Sequence, residues 1–569
     1  MVSYVRHTIA QIPSLLIPIW MRNGFHYTRT DARADIVAGI TVAIIQIPQS
    51  MAFALTAGLP AVYGLYASLV GCIAGLWGSS RQLSTGPVAM VSLLTLTSLV
   101  SLAAPESVQF IRLAATLALL TGIIYLALGF SRMGQLIHLV PHSVIAGFST
   151  AAAVLIVISQ IPTLLGIPSP QYDVVLQNIV ALVRAIPQLS LLTSMVGILS
   201  LGFLIITRRL PRSYPTALIL LAGVILISYL FHLDAHSVAI VGFIPSVLPR
   251  FVLPHIGSNT LSILLPKAAV LALVAFVATH ANTKTLARST HEHLDSDQEL
   301  VGQGLANVIT AFFQGFPISG SFTRSAINHD SGARTAFSSV VSAIMTVVAI
   351  LFLTPLFYYL PRTALAAIVL LSAYSLVDFK RLGAIYDVSR SDGIVALFTF
   401  TMVFVLTPEN ALFAGMLLAL VLFIRQTVWG AQVSEVGIDM ERGVLRSTLS
   451  ESAVRIFPSV VIARISMSLY YANTGHIISE IDTSIETHIA REMSAVKHLV
   501  LDMSGVNFMD ITGMEMFEEY LESLYHRHIN VSMIYVRAPV FTLLQNTSYF
   551  PHRSIFYNVQ EMRMKLQLL

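Results

Sequence analysis

The chain has 569 residues, 55% of them hydrophobic and only 11% charged, with a formal net charge of +4 and a mean hydropathy of +0.76. A soluble domain is about 25% charged, so the composition excludes a soluble enzyme and reads as a polytopic membrane protein, in which basic residues set topology rather than bind nucleic acid. One cysteine, Cys72, excludes a disulfide framework and a thiolate metal cluster. It lies in an apolar run and is read as a packing residue.

Residues 1–34 mix apolar residues with Arg6, His7 and Pro13 and lack a small-residue cleavage site. They read as a cytoplasmic segment lying on the membrane surface. A transmembrane domain is expected over 35–426. Its fourteen apolar segments span about 36–55, 61–78, 87–104, 108–130, 138–163, 189–207, 215–231, 264–283, 299–315, 323–330, 335–360, 362–376, 391–407 and 409–425. A full span needs roughly 20 residues; some segments fall short of it, notably the third and tenth. Cut as seven plus seven, the chain places these two at matching positions, which is the layout that marks a transporter binding site. Arg132, Arg208, Arg209, Arg212, Lys284, Arg288, Lys380, Arg381 and Arg390 all fall in loops that lie inside if the amino terminus does. Arg250 and Arg362 are the exceptions.

In the first segment Pro48 interrupts the helical ladder, and Gln49 and Phe53 share one face. An amide at membrane depth must line a cavity or find a partner; a kinked packing helix is the competing reading. Gly71 and Gly75 read as close helix packing. The third segment opens Ser84-Thr-Gly-Pro-Val-Ala-Met90, with Pro87 expected at the first helical position. A helix that starts inside the membrane directs unpaired N–H groups and a positive dipole end at something, and an anion suits best. The eighth segment carries His280 one turn before Lys284, either titrating near neutrality or buried and hydrogen-bonded.

His291, Glu292, His293, Asp295 and Asp297 fit no metal-ligand spacing and read as a solvated, capping-rich loop. The tenth segment opens Ser319-Gly-Ser-Phe-Thr-Arg-Ser325. Ser321 or Thr323 is expected to cap it. Arg324 is expected either to put a fixed positive charge opposite the Pro87 helix start or to snorkel outward.

After Arg425 the composition changes. A linker is expected over 427–452 and a cytoplasmic α/β domain over 453–569, with strands at 456–466, 497–502 and 530–535 and helices at 477–493, 513–526 and 538–547. Asp510 and Thr512 precede a helix, where capping is the plain role.

These residues resemble the sulfate permease (SulP-type) family of anion transporters. The resemblance rests on Ile47-Pro48-Gln49, Tyr63-Gly64-Leu65-Tyr66 and Gly78-Ser79-Ser80-Arg81 leading to Pro87. It continues through Glu299-Leu-Val-Gly302-Gln-Gly304-Leu-Ala-Asn307 and Ser321-Phe-Thr323-Arg324-Ser325. Asp502-Met-Ser-Gly505 and Asp510-Ile-Thr-Gly513 look like a STAS domain. The resemblance implies two inverted seven-segment repeats, with segments 1–4 and 8–11 forming a core and the others a gate. It places an anion between the starts of segments three and ten. The implied pocket is Gln49, Phe53, Pro87, Val88, Ala89, Met90, Thr323 and Arg324. The implied mechanism is an elevator-like movement of the core, and the implied assembly is a homodimer.

Many relatives carry an acid in segment eight, linked to proton or sodium coupling; the matching position is Ala278 in this chain. That favours exchange, uniport or coupling through His280. In related STAS proteins a phosphorylated serine follows the aspartate; Ile511 stands there, with Thr512 next. The expectation is a secondary transporter of sulfate, bicarbonate, chloride or a dicarboxylate, in a bacterial plasma membrane with both termini inside, with no cofactor or metal and no catalytic residues. A passive anion channel and a voltage-responsive protein with little transport are the alternatives. A nucleobase permease is disfavoured by the STAS tail and the arginine, and a membrane enzyme by the lack of a nucleophile–base set.

Overall fold

A computed structural model describes residues 15, 17–18, 21, 27–135, 140–168, 175–209, 216–236, 238–254, 257–290, 292, 294–374, 376–430, 432–448, 454–545 and 555–568. Of the surface segment expected over 1–34, only residues 15, 17–18, 21 and 27–34 are described, and His291 and His293 lie outside the described residues. The chain divides into two compact units, Met1–Ala419 and Leu420–Leu569.

In the first unit α1 (Arg29–Thr56) starts earlier than the apolar pattern suggests, because Thr28 and Asp31 form a reciprocal capping box. Pro48 lies inside α1. The second segment breaks at Gly71 into α2 (Ala61–Val70) and α3 (Cys72–Trp77). A side chain at Gly71 would meet the backbone carbonyl of Thr85, in an extended segment rather than a helix, whereas one at Gly75 would meet Ser339 of a later helix at 3.0 Å, so the helix-packing reading fits Gly75 alone. The extended pair β1 (Thr85–Gly86) leads into the half-length α4 (Ala89–Leu99). There follow α5 (Val108–Phe130), α6 (His142–Leu165), α7 (Val175–Ala185), α8 (Leu191–Thr207) and α9 (Thr216–Leu230). The second half runs through α10 (Ser258–Thr290), α11 (Ser296–Phe312), β2 (Ser319–Gly320), the short α12 (Phe322–Asp330) and α13 (Phe337–Val348). It ends with α14 (Arg362–Tyr374), α15 (Phe379–Val388), α16 (Arg390–Val405) and α17 (Pro408–Trp429).

Each of the fourteen expected segments contains a helix, and six described helices are individually long and apolar enough to cross a membrane. Two helices were not expected. The sixth segment is a bent pair, α7 and α8, turning through 116°, and α15 precedes the thirteenth. Packing separates α1–α5 and α10–α13 from α6, α8, α9 and α14–α16, with fewer contacts between the groups. This is the division expected of core and gate. The two halves meet at an antiparallel pair, Thr85 opposite Gly320 and Gly86 opposite Ser319.

The second unit contains a sheet in the order β4-β3-β6-β7-β8-β9, with β5 on β3. Its strands are β3 (Val433–Asp439), β4 (Val444–Ser447), β5 (Val454–Arg455), β6 (Val460–Ile465), β7 (His498–Asp502), β8 (Asn530–Ile534) and β9 (Ile555–Phe556). The helices are α18 (Thr474–Glu492), α19 (Ile511–His526), α20 (Ala538–Leu544) and α21 (Val559–Lys565). The run from β6 to β9 is parallel and β3 joins it antiparallel. Residues 427–452 are therefore not a linker. α17 runs to Trp429, and β3 and β4 belong to the sheet, with Val436 and Ile438 fully buried in its core. Their alternation is too short to stand out in the sequence, and burial by neighbouring strands defines them. Asp510 caps α19 by accepting from Gly513 N–H at 2.7 Å.

Candidate functional site

Antiparallel strands that run directly into helices send those helices in opposite directions, so the amino ends of α4 and α12 meet at the β1–β2 pair. Each strand residue is bound from its own side, as strand alternation requires. Thr85 Oγ1 accepts from Gln303 Nε2 at 2.9 Å. Ser84 N–H donates to Ser325 Oγ at 2.8 Å, and Ser321 N–H returns to the Ser84 carbonyl at 2.9 Å. The Asn307 amide brackets Ile318, accepting from its N–H at 2.9 Å and donating to its carbonyl at 3.1 Å. Thr279 Oγ1 accepts from Gly320 N–H at 3.1 Å.

Glu299, Gln303 and Asn307 recur every fourth residue and form one polar stripe on the apolar α11. Glu299 is fully buried. It accepts from Ser79 N–H at 3.0 Å, Ser80 N–H at 3.3 Å and Gln303 Nε2 at 3.2 Å, and so anchors the loop that leads to β1.

A cavity of about 140 Å³ lies against the two helix starts. Gln49 and Phe53 of α1, Val88 to Val91 at the start of α4, and Ser321 to Thr323 at the start of α12 line it. Gln49 is thus placed in a cavity lining, one residue after the in-helix Pro48. The two starts differ. Ser321 Oγ caps α12 by accepting from Arg324 N–H, whereas Val88 opens α4 in an extended conformation with no side-chain cap. The uncapped start of α4 lines the cavity, and no ionisable side chain is among its described lining residues. The lining also takes in Ala275, Ala278 and Asn282 on one face of α10, and Ser372 and Leu376 at the carboxyl end of α14. It extends toward the ends of α10 and α14 that the basic residues place inside.

Two placements correct the sequence reading. Pro87 is not the first helical residue and does not line the cavity. Pairing of Thr85 and Gly86 with β2 keeps the chain extended through Val88, so α4 starts at Ala89. Arg324 is not among the described lining residues of the cavity, and, fully buried, it does not snorkel outward. Its Nη1 donates to the Pro87 carbonyl at 2.9 Å and its Nε to Ser84 Oγ at 3.4 Å, while Nη2 has no hydrogen-bond partner among the described residues. The charge thus braces the carbonyl just ahead of the α4 start and sits behind the site.

Ala278 is in the cavity wall. His280 is not in that lining; its Nδ1 lies 3.4 Å from Ser296 Oγ, and its ring lies 6.0 Å from that of Phe276. Sequence reasoning missed Gln303, Asn307, Thr279, Asn282 and Ser372. The spacing of Glu299, Gln303 and Asn307 was a usable signal; for Asn282 and Ser372, isolated polar residues in long apolar helices, there was none.

Residues 33–399 match the sulfate permease family and residues 451–562 the STAS domain. The chain is 32% identical over 515 residues to "Probable sulfate transporter 4.2" of Arabidopsis thaliana, covering 88% of this chain and 76% of that protein. It is 28% identical over 534 residues to "High affinity sulfate transporter 1" of Stylosanthes hamata, covering 89% and 79%. Among solved structures, the murine Solute Carrier 26 family member A9 anion transporter in the inward-facing state superposes with a TM-score of 0.86 at 22% identity, covering 99% of this chain and 94% of that one. The transmembrane domain of a cyanobacterium bicarbonate transporter, BicA, superposes with a TM-score of 0.60 at 24% identity, covering 69% and 98%.

Proposed function

Because this chain belongs to the sulfate permease family, and is therefore a membrane transporter rather than an enzyme, we propose that it carries a small oxyanion, with sulfate the first candidate, by movement of the α1–α5 and α10–α13 core against the remaining helices. One observation carries the reading: the uncapped start of α4 and the start of α12 line a single cavity with no ionisable side chain among its described lining residues. Helix amino ends supply N–H donors and a positive dipole end to a desolvated anion. Gln49, Thr323 and Ser321 add neutral polar groups, and Phe53 closes the apolar side. Arg324 contributes its field and holds Pro87, and it does not touch the ion. This cavity is enclosed by groups from both helix groups, Gln49 from one and Ser372 from the other, so sliding one group on the other alters its exposure.

With Ala278 in the wall and His280 outside the lining, transport proceeds by exchange or uniport. The STAS unit serves folding, dimer contact or regulation, and the protein works as a homodimer in a bacterial plasma membrane with both termini inside.

The test is uptake of labelled sulfate, bicarbonate, chloride and dicarboxylates into proteoliposomes, under imposed pH, sodium and chloride gradients in turn. Saturable sulfate uptake stimulated by an internal anion, and lost in Ala89→Phe and Arg324→Ala proteins that still elute as folded species, is the expected result. Unchanged uptake in both variants sinks the site. Currents too large for alternating access assign a channel, and charge movement without flux a voltage-responsive protein.

A further inference from the structure

A second cavity, of about 440 Å³, lies at the opposite end of the same helices. Thr56, Leu96 and Thr97 line it from the core group, and Leu155, Gln160 and Leu365 from the other. It shares no lining residue with the smaller cavity. Along α4 the two linings come within two residues of each other, with Val91 in the small cavity and Leu93 in the large one. The loop between α4 and α5 and the start of α14 both fall outside by the basic-residue pattern, which makes this the outer cavity.

Glu106 and Arg362 stand among its lining residues, joined by an ion pair with Nη1 to Oε1 at 2.9 Å. Glu106 belongs to the core group and Arg362 opens α14 of the other, so the pair crosses the seam along which the helix groups would slide. Both ends are held by backbone bonds. Glu106 takes a left-handed conformation, φ 61°, which is uncommon for a residue other than glycine. Its N–H donates to the Gly58 carbonyl at 2.8 Å, and Arg362 N–H donates to the Ala239 carbonyl at 2.8 Å. A non-glycine residue kept left-handed by a long-range bond points to a local task beyond packing. The Arg362 side chain is 35% exposed and that of Glu106 43%, and a pair this wet biases an equilibrium only a few-fold. A contact that must form and break in every cycle needs such a modest strength.

We propose that Glu106 and Arg362 form a latch across the outer cavity, which holds the helix groups together there and keeps the anion site closed to the outside. The proposal rests on the transport reading above.

The test uses the full-length protein in intact cells, with Met90→Cys as a reporter in a Cys72→Ser background. A membrane-impermeant maleimide is added from outside, so labelling reports how often the site opens outward. Glu106→Gln and Arg362→Gln are each expected to raise the labelling rate about two- to fivefold. The double variant should go no further, and the reversed pair, Glu106→Arg with Arg362→Glu, should return the rate toward that of the parent. Unchanged rates in both single variants overturn the latch, as does a reversed pair that labels like the singles. Labelled-sulfate uptake is measured separately, on cells that carry the unsubstituted protein. Absence of uptake there would count against the transport reading, while the labelling rates still decide the latch.

Discussion

Arg324 shows how a residue type can be legible when its role is not. The sequence places a cation beside a helix start at membrane depth, but its direction depends on β1 and β2 pairing first. Once Thr85 faces Gly320, the Pro87 carbonyl lies within 2.9 Å of Nη1, and the guanidinium is spent on the chain behind the site. Lysine keeps the charge but loses the fixed fork of donors that spans Pro87 and Ser84. Arg324→Lys is therefore expected to lower the maximal uptake rate about 10- to 100-fold, because the donors of α4 shift by a fraction of an ångström. Initial uptake rates over a range of sulfate concentrations check this. Gly64 is a second residue whose importance is steric. A Cβ there would sit 1.9 Å from the Ser50 carbonyl, so Gly64→Ala should cost about 1–3 kcal/mol through overpacking, seen as a lower thermal unfolding midpoint in detergent.

At the scale of elements, the helices that stand alone were readable and those shaped by a partner were not. The Ser107 cap and long apolar run of α5 mark it without help, and Asp510 marks the start of α19. The bend between α7 and α8, the helix α15 and the strand β3 have short or interrupted patterns that only neighbours complete. β3 illustrates the consequence. Glu435 on this strand accepts two bonds from Arg491, at 3.0 and 2.7 Å, and lies 2.6 Å from Nδ1 of the buried His488 on α18. Burial raises the pKa of this carboxyl, but the bonds from Arg491 and His488 outweigh it and hold the group below its ordinary 4.5. A carboxyl depressed in the folded state stabilises above its unfolded pKa, and that stability is lost as pH falls through the folded value. Amide exchange in β3 and α18 of the full-length protein, corrected for intrinsic rates, should be flat from about pH 7 to 5 and accelerate below about pH 4.5. Glu435→Gln should exchange faster at neutral pH and lose most of that acid limb.

At the scale of the whole molecule, the arrangement accounts for transport without a titrating group at the site. The described cavity lining is neutral, and Ala278 leaves a small apolar surface beside the helix starts. Sulfate uptake by the parent protein should therefore change less than about twofold when a proton gradient is imposed, a step far smaller than the roughly tenfold per pH unit that proton cotransport permits. Ala278→Glu should introduce a dependence in which uptake rises as the outside is acidified, since an ionised carboxylate there repels the anion and a protonated one does not. A parent protein that already concentrates sulfate on a proton gradient would place a coupling group elsewhere.

The sequence by itself determined that this is a membrane protein with two interrupted segments at matching places and a separate α/β unit. Hydropathy, proline and glycine positions and helix-start residues are local properties, and each speaks through the chain's own neighbours. Only the tertiary structure decided that α4 starts at Ala89 uncapped, that Arg324 braces it from behind, and that Gln303 and Asn307 hold the β1–β2 pair. Those outcomes depend on the pairing of Thr85 with Gly320 across more than 200 residues of chain, and no local pattern encodes which groups such a contact will bring together.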